Sequence, residues 1–170
     1  MDLLSLLFGR NAKAPKSQHI LVDLAGFTCG GSRLGEPVNR ADYFADALRK
    51  RDVFKDETNG IEVGTAKGVF DYLFVEMGRF QGQFSRGGSA LVINVNTTEG
   101  DVLSLFGQPY WTDRSDGEVI MFYEYQRGDV ELQFEFPSGD GLGFITLARN
   151  GVLSTEDQRI ACGVTKPWPP

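Results

Sequence analysis

The chain has 170 residues, 41% of them hydrophobic, which suits one domain or two small halves sharing a core and argues against wholesale disorder. Its 13 Phe, 5 Tyr, 2 Trp and 21 Gly favour short strands joined by tight turns over a helical bundle. The net charge of −6 comes from the second half: residues 1–85 hold 11 basic and 11 acidic side chains, residues 86–170 hold 6 and 12, a balance that repels phosphate backbones and disfavours nucleic acid as a partner.

Residues 1–18 read as an N-terminal amphipathic segment and linker. Leu3, Leu4, Leu7 and Phe8 would share one face of a two-turn helix, and Asn11 to Ser17 is polar with a proline. The apolar run is too short for a secretory signal, has no basic residues before it and no small-residue cleavage site after it, so a cytoplasmic location is expected. Docking of this segment onto the protein's own core is the first expectation, and membrane contact, possible only through it, is the alternative.

Residues 19–88 read as a first α+β repeat. His19 to Leu24 is strand-like, followed by Thr28-Cys29-Gly30-Gly31 and the corner Gly35-Glu36-Pro37. Between Asn39 and Glu57, Tyr43, Phe44, Ala47 and Leu48 recur at helical spacing and Arg49-Lys50-Arg51 follow, which predicts an inserted helix with a basic C-terminal end. Weaker strands are expected at Ile61–Val63, Val69–Glu76 and Phe80–Phe84, with Gly68 in a turn.

Residues 89–161 read as a second α+β repeat. Ala90 to Val95 is strand-like, Thr98 recurs 70 residues after Thr28, and Gly107-Gln108-Pro109 recurs 72 residues after the first Gly-x-Pro, an order of elements that points to an internal duplication. Thr98 and Asp101 form a short-chain capping box, Val102, Leu103, Leu105 and Phe106 supply the apolar face, and Gly107 and Pro109 end the helix. Glu118 to Phe136 predicts a hairpin around Arg127-Gly128 in which Tyr125, Tyr123, Met121 and Val119 pair with Val130, Leu132, Phe134 and Phe136 on one apolar face. A third strand is expected at Phe144–Arg149. The fold class is therefore α+β: two related repeats sharing one core, each a short helix ending in a Gly-x-Pro corner plus a three- to four-stranded antiparallel sheet. Residues 162–170 form a Pro-rich tail.

The run Thr98-x-x-Asp101-Val102-x-x-x-Phe106-Gly107-x-Pro109, with the aromatic hairpin and a last strand ending near Asn150-Gly151, resembles the repeat of the SmpA/OmlA-type small outer-membrane lipoproteins and of the beta-lactamase-inhibitor-protein family. The resemblance covers residues 97–150 well and 28–84 poorly. It implies a helical segment packed on an antiparallel sheet, two such units in tandem, and a scaffold that acts by contacting other proteins. The chain departs from those families in having no lipoprotein signal or lipid-acceptor Cys near its start, none of the inhibitor's disulfides, and a strand at the beginning of each half.

Candidate chemistry is sparse. Two cysteines, Cys29 and Cys162, and the single His19 cannot furnish a four-ligand zinc site by themselves, and two free thiols are a simpler expectation than one disulfide. The glycine-rich stretches 26–35, 64–68 and 139–143 match no phosphate-binding loop and read as turns, so no cofactor or metal is expected. Glu124 and Glu131 are expected to face each other on the exposed side of the hairpin, where two close carboxylates raise one pKa or hold a cation. That pair lacks the supporting geometry of a catalytic site, so no enzyme is expected.

Tyr110 and Trp111 are expected on a loop as interface anchors or as a lid over the core, and Trp168 in the run Lys166 to Pro170 as a polyproline-type ligand or a packing residue. The leading expectation is a non-enzymatic protein-interaction domain, an inhibitor, immunity or regulatory protein; its acidic half reads first as a solvated face, with a basic protein partner as the alternative. Two other functions are a small-molecule-binding or hydrolytic domain with its site between the repeats, and a peripheral membrane adaptor acting through residues 3–8.

Overall fold

The structure, a computed structural model, describes residues 20–137, 141–153 and 155–164. The expected amphipathic segment, the linker, His19 and the tail with Trp168 lie outside the described residues. The fold is mixed α+β and mostly antiparallel, with few helices.

Two sheets enclose the core. The larger has seven strands in the order β4-β5-β6-β12-β11-β10-β9: β4 Val53–Asp56, β5 Ile61–Ala66, β6 Val69–Glu76, β9 Trp111–Asp113, β10 Val119–Tyr125, β11 Val130–Phe136 and β12 Phe144–Arg149. Every neighbouring pair in it is antiparallel. The smaller has five strands in the order β3-β2-β1-β7-β8: β1 Leu21–Asp23, β2 Thr28–Cys29, β3 Ser32–Arg33, β7 Gln83–Arg86 and β8 Ser89–Leu91. There β1 and β7 run parallel, a pairing between segments about 60 residues apart that no local pattern signals.

Alternation explains the larger sheet. Val63, Val75, Leu132, Phe134 and Leu147 all point to the core face and are fully or almost fully buried. Each such side chain contributes about 1.5–3 kcal/mol by leaving water. The hairpin register is the expected one, from Val119↔Phe136 to Tyr125↔Val130. Its connection is longer than two residues: Gln126–Gly128 forms a 3-10 turn, Gln126 sits at φ 50°, and the Asp129 N–H donates to the Gln126 carbonyl at 3.3 Å. The β5–β6 hairpin turns on Lys67 and Gly68, both at positive φ, as a two-residue loop requires.

Three helices complete the described chain: α1 Ala45–Leu48, α2 Glu99–Phe106 and α3 Glu156–Ala161. Helix α2 follows its expected caps. The Thr98 hydroxyl accepts from the Asp101 N–H at 3.2 Å, and the Asp101 carboxylate accepts from the Thr98 N–H at 2.8 Å. Gly107 ends it at φ 76°, a value that strains residues with a Cβ, and the Tyr123 hydroxyl donates to the Gly107 carbonyl at 2.9 Å. The corner is thereby tied to the sheet, and Phe106 packs on Phe134 with ring centroids 4.9 Å apart.

Several expectations need correction. The helix expected over 39–57 is a single turn, α1, because Val53 and Phe54 leave it to form an edge strand against Val63 and Gly64. The helical spacing of Tyr43, Phe44 and Leu48 is real but serves one turn, where Phe44 is buried and meets Phe54. The first Gly-x-Pro follows the β2–β3 hairpin, with no helix before it among the described residues. Gly35 donates its N–H to the Phe70 carbonyl at 2.9 Å, and Pro37 bridges Val69, so that corner extends the start of β6. The strand expected over 90–95 stops at Leu91, where a turn closes from the Thr97 N–H to the Asn94 carbonyl at 3.0 Å. Phe80 belongs to the loop before β7, its ring 4.7 Å from that of Phe84. Helix α3 was not anticipated.

The parallel β1–β7 joint has its own anchor. Asp23 accepts the N–H groups of Ala25 at 2.9 Å, Gly26 at 2.6 Å, Gly87 at 3.1 Å and Gly88 at 2.9 Å, and the Ser85 hydroxyl at 2.9 Å. Burial alone would raise its pKa, but these donors outweigh it and hold the carboxyl well below its ordinary value. A depressed folded-state pKa gives stability that is complete above the unfolded value of about 4 and is lost as the pH falls towards the folded one. Asp23→Asn is therefore expected to lower stability at pH 7 by about 1.5–3 kcal/mol, the worth of a charge-assisted bond. Urea titrations at pH 7 and pH 3 should show the difference from wild type shrinking at the lower pH.

Candidate functional site

The outer face of the seven-stranded sheet, turned away from the core, holds four of the five residues singled out from sequence. Glu124 and Glu131 are register partners, as expected, yet neither is exposed: their relative exposures are 4% and 1%. The segment after β12 folds back over them. Asn150, at φ 61°, turns the chain and Leu153 is buried on the sheet with Tyr110 and Phe122. Helix α3 follows, its N-terminus capped by a Thr155–Gln158 capping box.

The two carboxylates have different partners. Glu131 accepts from the Tyr110 hydroxyl at 2.5 Å, from Gln133 Nε2 at 2.6 Å and from the Val152 N–H at 3.1 and 3.2 Å. Gly151 lets the segment approach this closely, since a Cβ there would lie 2.7 Å from Glu131 Oε2. Glu124 forms a buried ion pair with Arg159 of α3, whose guanidinium also donates from Nε to the Leu153 carbonyl at 2.8 Å and lies 5.2 Å from the centre of the Tyr110 ring. Burial, together with the Glu131 hydrogen bond, pushes the Tyr110 phenol far above its ordinary pKa.

This cluster is a clasp. A strand pair that would suffer from two facing carboxylates instead has one neutralised by a guanidinium and the other given neutral donors. The same contacts fasten residues 150–164 to the sheet. Tyr110 is buried, and Trp111 opens edge strand β9 with its ring stacked on Phe122 at 4.5 Å. Trp168 lies outside the described residues. Cys29 is a free, buried thiol, pushed up to about 12 by burial and by Asp42, and Cys162 is free and exposed. Among the described residues no group of three His, Cys, Asp or Glu is placed to hold a metal, and no helix is long and apolar enough to cross a membrane.

Among the described residues, the other half of the outer face carries no such cover. On β6 and β12, Phe74 and Phe144 stack with ring centroids 5.1 Å apart, both only partly buried, and Tyr72 lies beyond them. Carboxylates surround the rings. Glu62 is held by Lys55 at 2.7 Å and by the Tyr72 hydroxyl at 2.5 Å, and Glu76 by Arg79 at 3.3 Å. Glu135 is the register partner of Phe144 on the side away from Glu76.

This chain matches no protein-family model, and no curated protein or solved structure matches it.

Proposed function

We propose that this protein is a non-enzymatic interaction domain that binds a protein partner through the uncovered half of its outer sheet face. The observation that carries the reading is the Phe74–Phe144 stack. Two large rings stand partly in water on the central strands β6 and β12, which hydrogen bonding to neighbours on both sides keeps rigid. Pre-ordered aromatics of this kind supply contact area at little entropic cost and are frequent binding anchors.

The tandem-repeat reading and the likeness to the beta-lactamase-inhibitor-protein scaffold belong to the same proposal. In their support, two three-stranded meanders, β4-β5-β6 and β10-β11-β12, meet antiparallel through their last strands, as related halves joined about a local two-fold would. An inhibitor, immunity or regulatory role, in the cytoplasm, is the form of function this scaffold suits.

A photo-crosslinking residue at Thr146, which sits beside Phe74 on this face, tests the reading against one at Asp157 on α3. One discrete protein adduct from position 146 and none from 157, in lysate of the organism that encodes the chain, is the expected result. No adduct from 146 would refute the proposal.

A further inference from the structure

On the uncovered half of the sheet, the carboxylates are not equally served. Glu62 has Lys55, and Glu76 has Arg79. The Glu135 side chain has neither a hydrogen bond nor an ion pair among the described residues, and the charge that acts on it is another carboxylate, Glu118. Partial burial and that neighbour push its pKa upward. In strand order, the row across the face runs Ile120, Glu135, Phe144, Glu76. Of the two carboxylates that flank Phe144, Glu76 carries a cation, Arg79, and Glu135 does not.

Building on the protein-binding reading, we infer that this half of the sheet is a docking surface for an arginine-bearing basic segment of the partner, with one guanidinium lying over the Phe144 ring and paired to Glu135. Charge and shape agree on that occupant. A cation is attracted to the face of an aromatic ring, and a planar guanidinium stacks there while its edge remains free to pair with a carboxylate. A lysine ammonium would satisfy Glu135 but lacks the planar stacking group. The clasp shows the same chemistry within the chain, where Arg159 lies over Tyr110 and pairs with Glu124. An anionic or purely apolar partner would leave Glu135 under the Glu118 charge in a drier interface, which raises the cost of their repulsion.

The test uses fluorescein-labelled hexa-arginine and hexa-lysine peptides with the full chain, read by anisotropy at low salt. Hexa-arginine should bind more tightly than hexa-lysine. Glu135→Lys should weaken hexa-arginine binding about tenfold, the effect of losing one partly desolvated cation contact. Asp157→Lys, an equal charge change on exposed α3, should weaken it less than about twofold. Glu135→Lys removes a repulsion, so it is expected to fold, and an unchanged urea midpoint would verify that. In the wild type, ring resonances of Phe74 and Phe144 should move during the titration. Equal losses for the two variants, equal binding of the two peptides, or unmoved rings would each overturn the inference. A crosslinked partner that survives Glu135→Lys would refute this inference and leave the protein-binding reading intact. Peptide binding that depends on Glu135, with no adduct at position 146, would do the reverse.

Discussion

Arg159→Leu is expected to lower the unfolding free energy by about 3 kcal/mol, the lower end of the cost of breaking a buried ion pair by removing one member. Glu124 is the reason. Its side chain is 1% exposed and fixed on a central strand pair, so it cannot reach water unless the covering segment lifts. Lifting caps the loss, because α3 is short and has no buried residue of its own. The converse variant, Glu124→Met, should cost less: Arg159 is 11% exposed, sits on the last helix and can swing its head outward. Combining the two changes should recover most of the deficit of Arg159→Leu, since an apolar pair carries no desolvation penalty. Urea unfolding of the four proteins gives the coupling directly. Hydrogen exchange should locate the effect, with Arg159→Leu losing protection in residues 150–164 first. Equal losses for the two single variants would contradict this account.

The clasp shows where sequence reasoning stops. Residues 119–136 were legible, register included, because apolar and polar side chains alternate along β11 and its apolar set matches one on β10, so a one-residue slip would break every apolar pair. The same alternation was misleading about Glu124 and Glu131. It separates the two faces of a hairpin but does not say whether the second face meets water or another segment. What covers them is distant in sequence and is held by one arginine and a few backbone contacts. A local signal did exist: Thr155-Glu156-Asp157-Gln158 is a capping box, and it starts the helix that carries Arg159. The burial also takes two carboxylates out of the acidic excess of the second half, so the surface is less acidic than the composition implied.

The first half was less legible, for a different reason. Around α1 and β4, Tyr43, Phe44, Leu48 and Phe54 form one aromatic and aliphatic group that a longer helix or a turn and a strand would both bury. Pairing of Val53–Asp56 with β5 decides between them, and that contact is non-local. Gly35-Glu36-Pro37 matched Gly107-Gln108-Pro109 in letters because both stop a chain at positive φ. One stops a helix and the other a hairpin.

Glu131 offers the second large effect. Glu131→Leu keeps the side chain's bulk but removes the acceptor for three donors, the Tyr110 hydroxyl, Gln133 Nε2 and the Val152 N–H. Gln133 is partly exposed and can turn to water, whereas Tyr110 is buried and the Val152 amide is fixed by the backbone. Two stranded donors at about 1–3 kcal/mol each set the expected loss at about 3 kcal/mol. Glu131→Gln should cost far less, about 1 kcal/mol. Its oxygen can continue to accept from Gln133 and Val152 while its amide N–H donates to the Tyr110 oxygen, because a phenol accepts as readily as it donates. The ordering separates a role in hydrogen bonding from a role for the charge itself. If Glu131→Gln were as damaging as Glu131→Leu, the negative charge beside Arg159 would be what holds the segment down. If the two differ as expected, the clasp divides its work between Glu124, which needs a cation, and Glu131, which needs donors.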